Sequence, residues 1–166
     1  MFHKIIFAFL VMTSTLVVGQ EKLDKLLHKW NTRNVPYISV ETLKMTKEKT
    51  IILDAREESE FKVSHLKNAI FVGYNQFDLN QTIVKLPKDK TVKIVVYCSL
   101  GIRSETIAHK LIQAGYTNVF NLYGGIFEWK NKDFQVVDTT GNETEKVHAF
   151  NKSWSKWLQK GVKVYE

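Results

Sequence analysis

The chain holds one cysteine, and its neighbours give that sulfur a chemical task. Cys98 is followed by Ser99-Leu100-Gly101-Ile102-Arg103-Ser104 and preceded by Val92-Lys93-Ile94-Val95-Val96-Tyr97. The preceding run is apolar on both faces near its end, as a central parallel strand should be. Beyond the loop, Ile107, Ala108, Leu111 and Ile112 recur with helical spacing, and Gly115 stands where a helix-ending glycine belongs. The segment therefore reads strand, loop, helix, with the cysteine at the strand's carboxyl end. Ligands of open α/β sheets bind at that end. Gly101 lets the loop curve until successive N–H groups point inward as an anion-binding nest. The positive end of the following helix faces the same spot, and Arg103 adds a full charge. Each effect favours thiolate over thiol, the form that attacks as a nucleophile. A cysteine that only fills space at a strand end needs none of them.

The elements that must position this loop can be read along the chain. Leu23, Leu26, Leu27 and Trp30 share one face of an amphipathic helix expected to pack on the main body. Ser39 is placed to cap a short helix carrying Val40 and Leu43. Ile51-Ile52-Leu53 is a short buried strand ending at Asp54, followed by a helical segment with Phe61 and a second strand at Ala69-Ile70-Phe71. Ile83, Val84 and Leu86 mark another helix, closed by the turn at Pro87. Val119-Phe120-Asn121-Leu122 is a further strand, and Tyr123-Gly124-Gly125 a tight turn into a helix ending near Trp129. Strands alternating with helices over short connections specify a doubly wound, mostly parallel α/β sheet flanked by helices. Residues 131–166 add a turn at Thr140-Gly141-Asn142, an expected helix bearing Phe150, Trp154 and Trp157, and a last strand from Val162 to Tyr165.

Composition narrows the function. With 166 residues, 44% hydrophobic and only two prolines, the chain is an ordinary folded domain with short extensions rather than a disordered one. The net charge of +7 comes almost wholly from lysines; Arg33, Arg56 and Arg103 are the three arginines. Scattered lysines solvate a surface, whereas base reading uses the arginine fork, so no nucleic-acid partner is expected. A single cysteine excludes an internal disulfide framework and a thiolate-rich zinc site. No histidine–carboxylate cluster points to a metal, and no glycine-rich phosphate loop follows the first strand. Residues 1–19 combine Lys4 with a short apolar stretch and end in Val17 and Gly19, small enough for signal-peptidase cleavage before Gln20. The expectation is an exported chain, in a bacterial periplasm or secreted, without stable membrane insertion after cleavage. Asn80, Asn142 and Asn151 head glycosylation sequons, a short motif that arises by chance in an asparagine-rich chain.

Four segments, in order, resemble the rhodanese-like (sulfurtransferase) domain family. They are Leu53-Asp54-Ala55-Arg56-Glu57 with Glu60-Phe61, then Ser64-His65-Leu66-Lys67-Asn68-Ala69, then Tyr97 through Ser104, and last Leu122-Tyr123-Gly124-Gly125-Ile126-Phe127-Glu128-Trp129. The resemblance implies a domain over residues 39–130, a helical N-terminal extension over 20–38 and a C-terminal extension over 131–166 that packs on the domain.

It also implies roles. Cys98 would accept a sulfane sulfur and hold it as a persulfide. The backbone amides of Ser99, Leu100, Gly101, Ile102, Arg103 and Ser104 would cradle that sulfur, and Arg103 would help hold a small anionic donor such as thiosulfate. Asp54 and Arg56 would support the site, and His65 would pack its loop. The acceptor would be a thiol, cyanide or a protein, with no cofactor and no metal. His109, in the middle of the helix after the loop, is expected to face outward or pack rather than act as a base. Ser99 and Leu100 stand where relatives often carry arginine or a polar residue, which makes the pocket mouth less cationic and favours a persulfide or protein donor. Cysteine-dependent phosphatases use a loop one residue longer than the four residues between Cys98 and Arg103, a size suited to phosphate rather than to one sulfur atom. The other function the resemblance allows is a non-enzymatic binding or sulfur-carrier module that docks a protein partner.

Overall fold

The computed structural model describes residues 21–165. The expected signal peptide therefore lies outside the described residues. Residues 21–30 are helical (α1) and belong to a unit that ends at Thr32; the sheet and Cys98 belong to a second unit that starts at Arg33.

In the second unit β4 (Ile94–Tyr97) is the middle of a five-stranded sheet, with all four side chains buried. Its three β-branched residues suit a strand covered on both faces. β2 (Ile51–Asp54) pairs with β4 on one side, in register from Ile51–Ile94 to Asp54–Tyr97. β5 (Val119–Leu122) pairs with it on the other. β3 (Ile70–Phe71) lies beyond β2 and β1 (Tyr37–Ile38) beyond β5, giving the order β1-β5-β4-β2-β3 with every pair parallel. All carboxyl ends consequently lie along one edge, where Asp54, Cys98 and Tyr123 gather. Tyr37 and Ile38 fall within the extension expected to be helical. Two residues carry no periodicity to betray them, and their strand identity comes from pairing with β5.

The helices follow the spacing of apolar residues. α2 (Val40–Thr46) is capped by Ser39, whose Oγ accepts from the Thr42 N–H, and it buries Val40 and Leu43. α3 (Glu58–Val63) begins with a capping box between Glu57 and Glu60, and α4 (Leu79–Val84) with an Asp78 cap. α5 (Arg103–Gln113) packs over β4 and β5. It places Ile107, Ala108 and Leu111 in one core with Leu53, Ile94, Val96 and Val119. Each buried leucine, isoleucine or valine side chain contributes about 1.5–3 kcal/mol, so the helix whose first turn carries Arg103 is firmly seated. Gly115, with φ +92°, follows its end in the left-handed conformation. α6 (Gly125–Asn131) starts from the turn after β5 and packs on α2.

The C-terminal extension departs from expectation. It holds two small sheets, an antiparallel pair β6 (Val136–Val137) and β7 (Glu143–Thr144), and a parallel pair β8 (Lys146–His148) and β9 (Val162–Val164). Between β8 and β9 the aromatic helix is absent; a single 3₁₀ turn spans Ser155–Trp157. The Asn151 side chain accepts from Ser153 Oγ and from the Trp154 N–H, and this local turn competes with helix formation. Phe150 sits at φ +64°, which no right-handed helix allows. β8 packs against α3, which brings the tail to the edge where Cys98 lies.

Candidate active site

Cys98 leaves β4 almost fully buried, 2% exposed. The Gly101 N–H donates to its Sγ at 3.1 Å. The Ser104 hydroxyl lies 3.5 Å from the same sulfur but 2.7 Å from Asn121 Oδ1. One hydroxyl proton serves one acceptor at a time, and the shorter contact makes Asn121 its partner while the sulfur is neutral. Asn121 Nδ2 in turn donates to the Gly101 carbonyl at 2.7 Å, so this β5 side chain staples the loop at both ends. Gly101 has φ +104°, and a Cβ there would come within 3.1 Å of the Leu122 carbonyl. On the other side, the N–H groups of Ile126 and Phe127 donate to the carbonyls of Cys98 at 2.9 Å and Ser99 at 3.2 Å. That approach requires Gly125, where a Cβ would stand 2.2 Å from the Cys98 carbonyl oxygen. With the carbonyls of Cys98 and Ser99 turned to α6, the N–H groups that meet the sulfur are those of Gly101 and Ser104.

Charge favours the thiolate. Burial pushes the Cys98 thiol up, but the Arg103 charge, the hydroxyl and N–H of Ser104 and the N–H of Gly101 outweigh it, and the net result lies below the ordinary thiol range. Arg103 is itself held. Its Nη1 and Nη2 donate to the two carboxylate oxygens of Glu60 at 2.6 and 2.8 Å, and Nη2 also donates to Ser99 Oγ at 3.0 Å. Ser99 Oγ donates to Glu60 Oε1 at 2.9 Å, which closes the triangle. Glu60 is 1% exposed. Burial raises its pKa, yet the paired Arg103, with help from Arg56 and the Glu57 N–H, brings it down to about 2. The guanidinium that the sequence offers to an anionic donor therefore faces a carboxylate already, and it reaches Cys98 as a fixed charge.

Asp54 and Arg56 form the floor. Arg56 donates through Nε and Nη2 to the Asp54 carboxylate, and through Nη2 to the Ser64 carbonyl at 2.6 Å. The Tyr97 hydroxyl donates to Asp54 Oδ2 and accepts from the Leu66 N–H at 3.1 Å. All three side chains are fully buried. They tie the ends of β2 and β4 to the 64–66 loop, and no hydrogen bond links them to the Cys98 sulfur. His65 stacks on Phe61 with ring centroids 3.9 Å apart, a packing role. His109 lies half-buried on α5 and makes no hydrogen bond to Sγ.

Above the sulfur, Cys98, Ser99, Leu100, Ile102, Arg103, Phe150 and Trp154 line a cavity of about 120 Å³. The Phe150 ring lies 4.8 Å from the Arg103 guanidinium carbon, and its centroid is 6.4 Å from that of Trp154, edge to face. Sequence reasoning assigned Glu60, Asn121, Phe150 and Trp154 no part in the site. Glu60 stands in a quoted motif, but no sequence signal places it beside the loop arginine 43 positions away.

A family model for the rhodanese-like domain matches residues 39–132. The chain belongs to the rhodanese-like domain family. The tRNA uridine(34) hydroxylase of Yersinia enterocolitica is 38% identical over 85 residues, which are 50% of this chain and 24% of that protein. The protein of the same name from Hamiltonella defensa is 37% identical over 92 residues, 52% of this chain and 26% of that one. This chain thus spans about a quarter of the length of the curated relatives it matches. Among solved structures, a rhodanese-related protein from Thermoplasma volcanium superposes with a TM-score of 0.54 at 27% identity, over 61% of this chain and 97% of its own. The thiosulfate sulfurtransferase of Pseudomonas aeruginosa shares the fold, with a TM-score of 0.59 at 21% identity over 84% of this chain and 26% of its own. Phe150 and Trp154 lie beyond the residues that define this rhodanese-like domain.

Proposed function

We propose that this rhodanese-like protein is a sulfurtransferase that carries a sulfane sulfur on Cys98. The observation that carries the reading is the Cys98 sulfur at the carboxyl end of β4, inside a loop whose Gly101 N–H already meets it at 3.1 Å and whose Arg103 charge favours the thiolate. In the first half-reaction the thiolate attacks the outer sulfur of a donor. With thiosulfate, the donor's S–S bond breaks, a new one forms to Sγ, and sulfite leaves with the bonding pair. In the second, an acceptor attacks the outer sulfur of the persulfide; cyanide becomes thiocyanate and the thiolate returns. Loop N–H groups hold the charge that moves onto the terminal sulfur. Two half-reactions on one cysteine give ping-pong kinetics.

Intact mass tests the reading. The reduced protein should gain one sulfur on exposure to thiosulfate or a persulfide and lose it to cyanide, while Cys98→Ser stays folded and gains nothing. Absence of loading from every donor would leave a recognition module on the same fold. We further place the mature chain outside the cytoplasm, and an N-terminus at Gln20 on protein recovered from the periplasm or medium is the expected result.

A further inference from the structure

The mouth of the Cys98 cavity is built for something other than a dianion. Leu100, Ile102, Phe150 and Trp154 supply its walls, and Arg103, its one cation among the described residues, is paired with the Glu60 carboxylate at 2.6 and 2.8 Å. A doubly charged donor would exchange water for apolar carbon and a neutralised ion pair, a costly transfer. An uncharged organic group would gain from the same surroundings. The volume of about 120 Å³ approaches that of an engineered apolar cavity of roughly 150 Å³ that takes up benzene.

The aromatic wall is deliberately placed. Phe150 holds φ +64°, a conformation that bulky side chains avoid and that clusters at functional sites. Three contacts fix it there: its N–H donates to His148 Nδ1 at 3.1 Å, Ala149 donates to the Val164 carbonyl at 2.9 Å, and Asn151 caps Trp154. The result is a residue 43% exposed, its ring set over Arg103 and against Trp154 rather than in the core.

We infer that Phe150 and Trp154 are specificity-determining residues that select an organic persulfide, R–S–SH, whose R group is apolar and about the size of one aromatic ring. The inference rests on the sulfurtransferase reading. R lies against the two rings while the terminal sulfur meets Sγ. The Cys98 thiolate attacks that sulfur, the donor's S–S bond breaks, and R–S⁻ leaves with the bonding pair and takes its proton from water. The terminal sulfur keeps its own proton and oxidation state, so no oxidant or reductant is consumed.

Single-turnover loading of Cys98, followed by intact mass on the reduced protein, tests this with benzyl persulfide, glutathione persulfide and thiosulfate. Loading from benzyl persulfide is expected to exceed loading from glutathione persulfide by about tenfold or more. In Phe150→Ala and Trp154→Ala that ratio falls toward one, and in Trp154→Phe, which keeps an aromatic wall, most of it returns. A ratio near one in the unaltered protein overturns the inference, as does a ratio that the alanine variants leave unchanged. Comparing donors on one preparation keeps loss of folded protein out of the result. Loading from thiosulfate or glutathione persulfide without a benzyl preference defeats this inference alone, whereas no loading from any donor defeats the sulfurtransferase reading beneath it.

Discussion

Glu60→Gln is the substitution that separates the two jobs of the buried carboxylate. Glutamine keeps the shape, but its single amide oxygen can accept from either Ser99 Oγ–H or the Glu57 N–H and not from both, and it removes the charge that faces Arg103. In the folded protein Glu60 titrates at about 2 against an ordinary 4.5. That difference corresponds to about 3 kcal/mol of preference for the ionised form. Because the folded value is the lower one, this stabilisation is fully present above about pH 5 and disappears as the pH falls through about 2. The variant should therefore be less stable by roughly 3 kcal/mol at pH 7, and the gap should close as acid protonates the native carboxylate. The reactive sulfur should respond in the opposite sense. Arg103, relieved of its counter-charge, favours the Cys98 thiolate more strongly, and thiosulfate should load faster per folded molecule. Urea unfolding at several pH values gives the first quantity, and the pH dependence of iodoacetamide alkylation gives the second. Equal stability at neutral pH, or a folded variant whose Cys98 titrates higher than before, would refute this account of the triangle.

Other perturbations probe the loop itself. Alkylation of Cys98 should show a midpoint below the ordinary 9.0, and Arg103→Ala should raise it, since the largest favourable contribution is lost while burial remains. Gly125→Ala should cost on the order of 3 kcal/mol in chemical denaturation, because its Cβ would meet the Cys98 carbonyl at 2.2 Å in a backbone conformation that alanine resists. Asn121→Ala removes two 2.7 Å hydrogen bonds and should cost about 1–3 kcal/mol, with slower sulfur loading. An Asn121→Ala protein that loads at the original rate would show that the loop holds its shape without the staple.

The sheet was legible because its signals are local. Val92 to Tyr97 and Ile51 to Leu53 are apolar runs of strand length, and Ser39, Gly115 and the Gly124-Gly125 pair mark helix ends by their own chemistry. Cys98 and its loop were legible for the same reason, since glycine, arginine and the helix start lie within six residues of the sulfur. What could not be read depends on distant partners. Glu60 lies 43 positions from Arg103 and Asn121 lies 17 from Ser104, and neither spacing has a period. The tail was misread because the three-residue step from Trp154 to Trp157 mimics a helix face, whereas the Asn151 turn and the pairing of β8 with β9 decide the backbone. Local propensity loses there to side-chain capping and to a strand partner 16 positions away.

The double anchoring of the Cys98 loop bears on how the proposed sulfur cycle would proceed. Its carbonyls are fixed on α6 and its turn is fixed on Asn121, so the frame exists before any donor arrives. A loop built in advance has no dipoles to reorient when charge passes from thiolate to persulfide, which keeps the reorganisation energy of both half-reactions small. On the sulfurtransferase reading, the empty and the sulfur-laden protein are then one receptacle in two states of filling, with the same backbone frame in both.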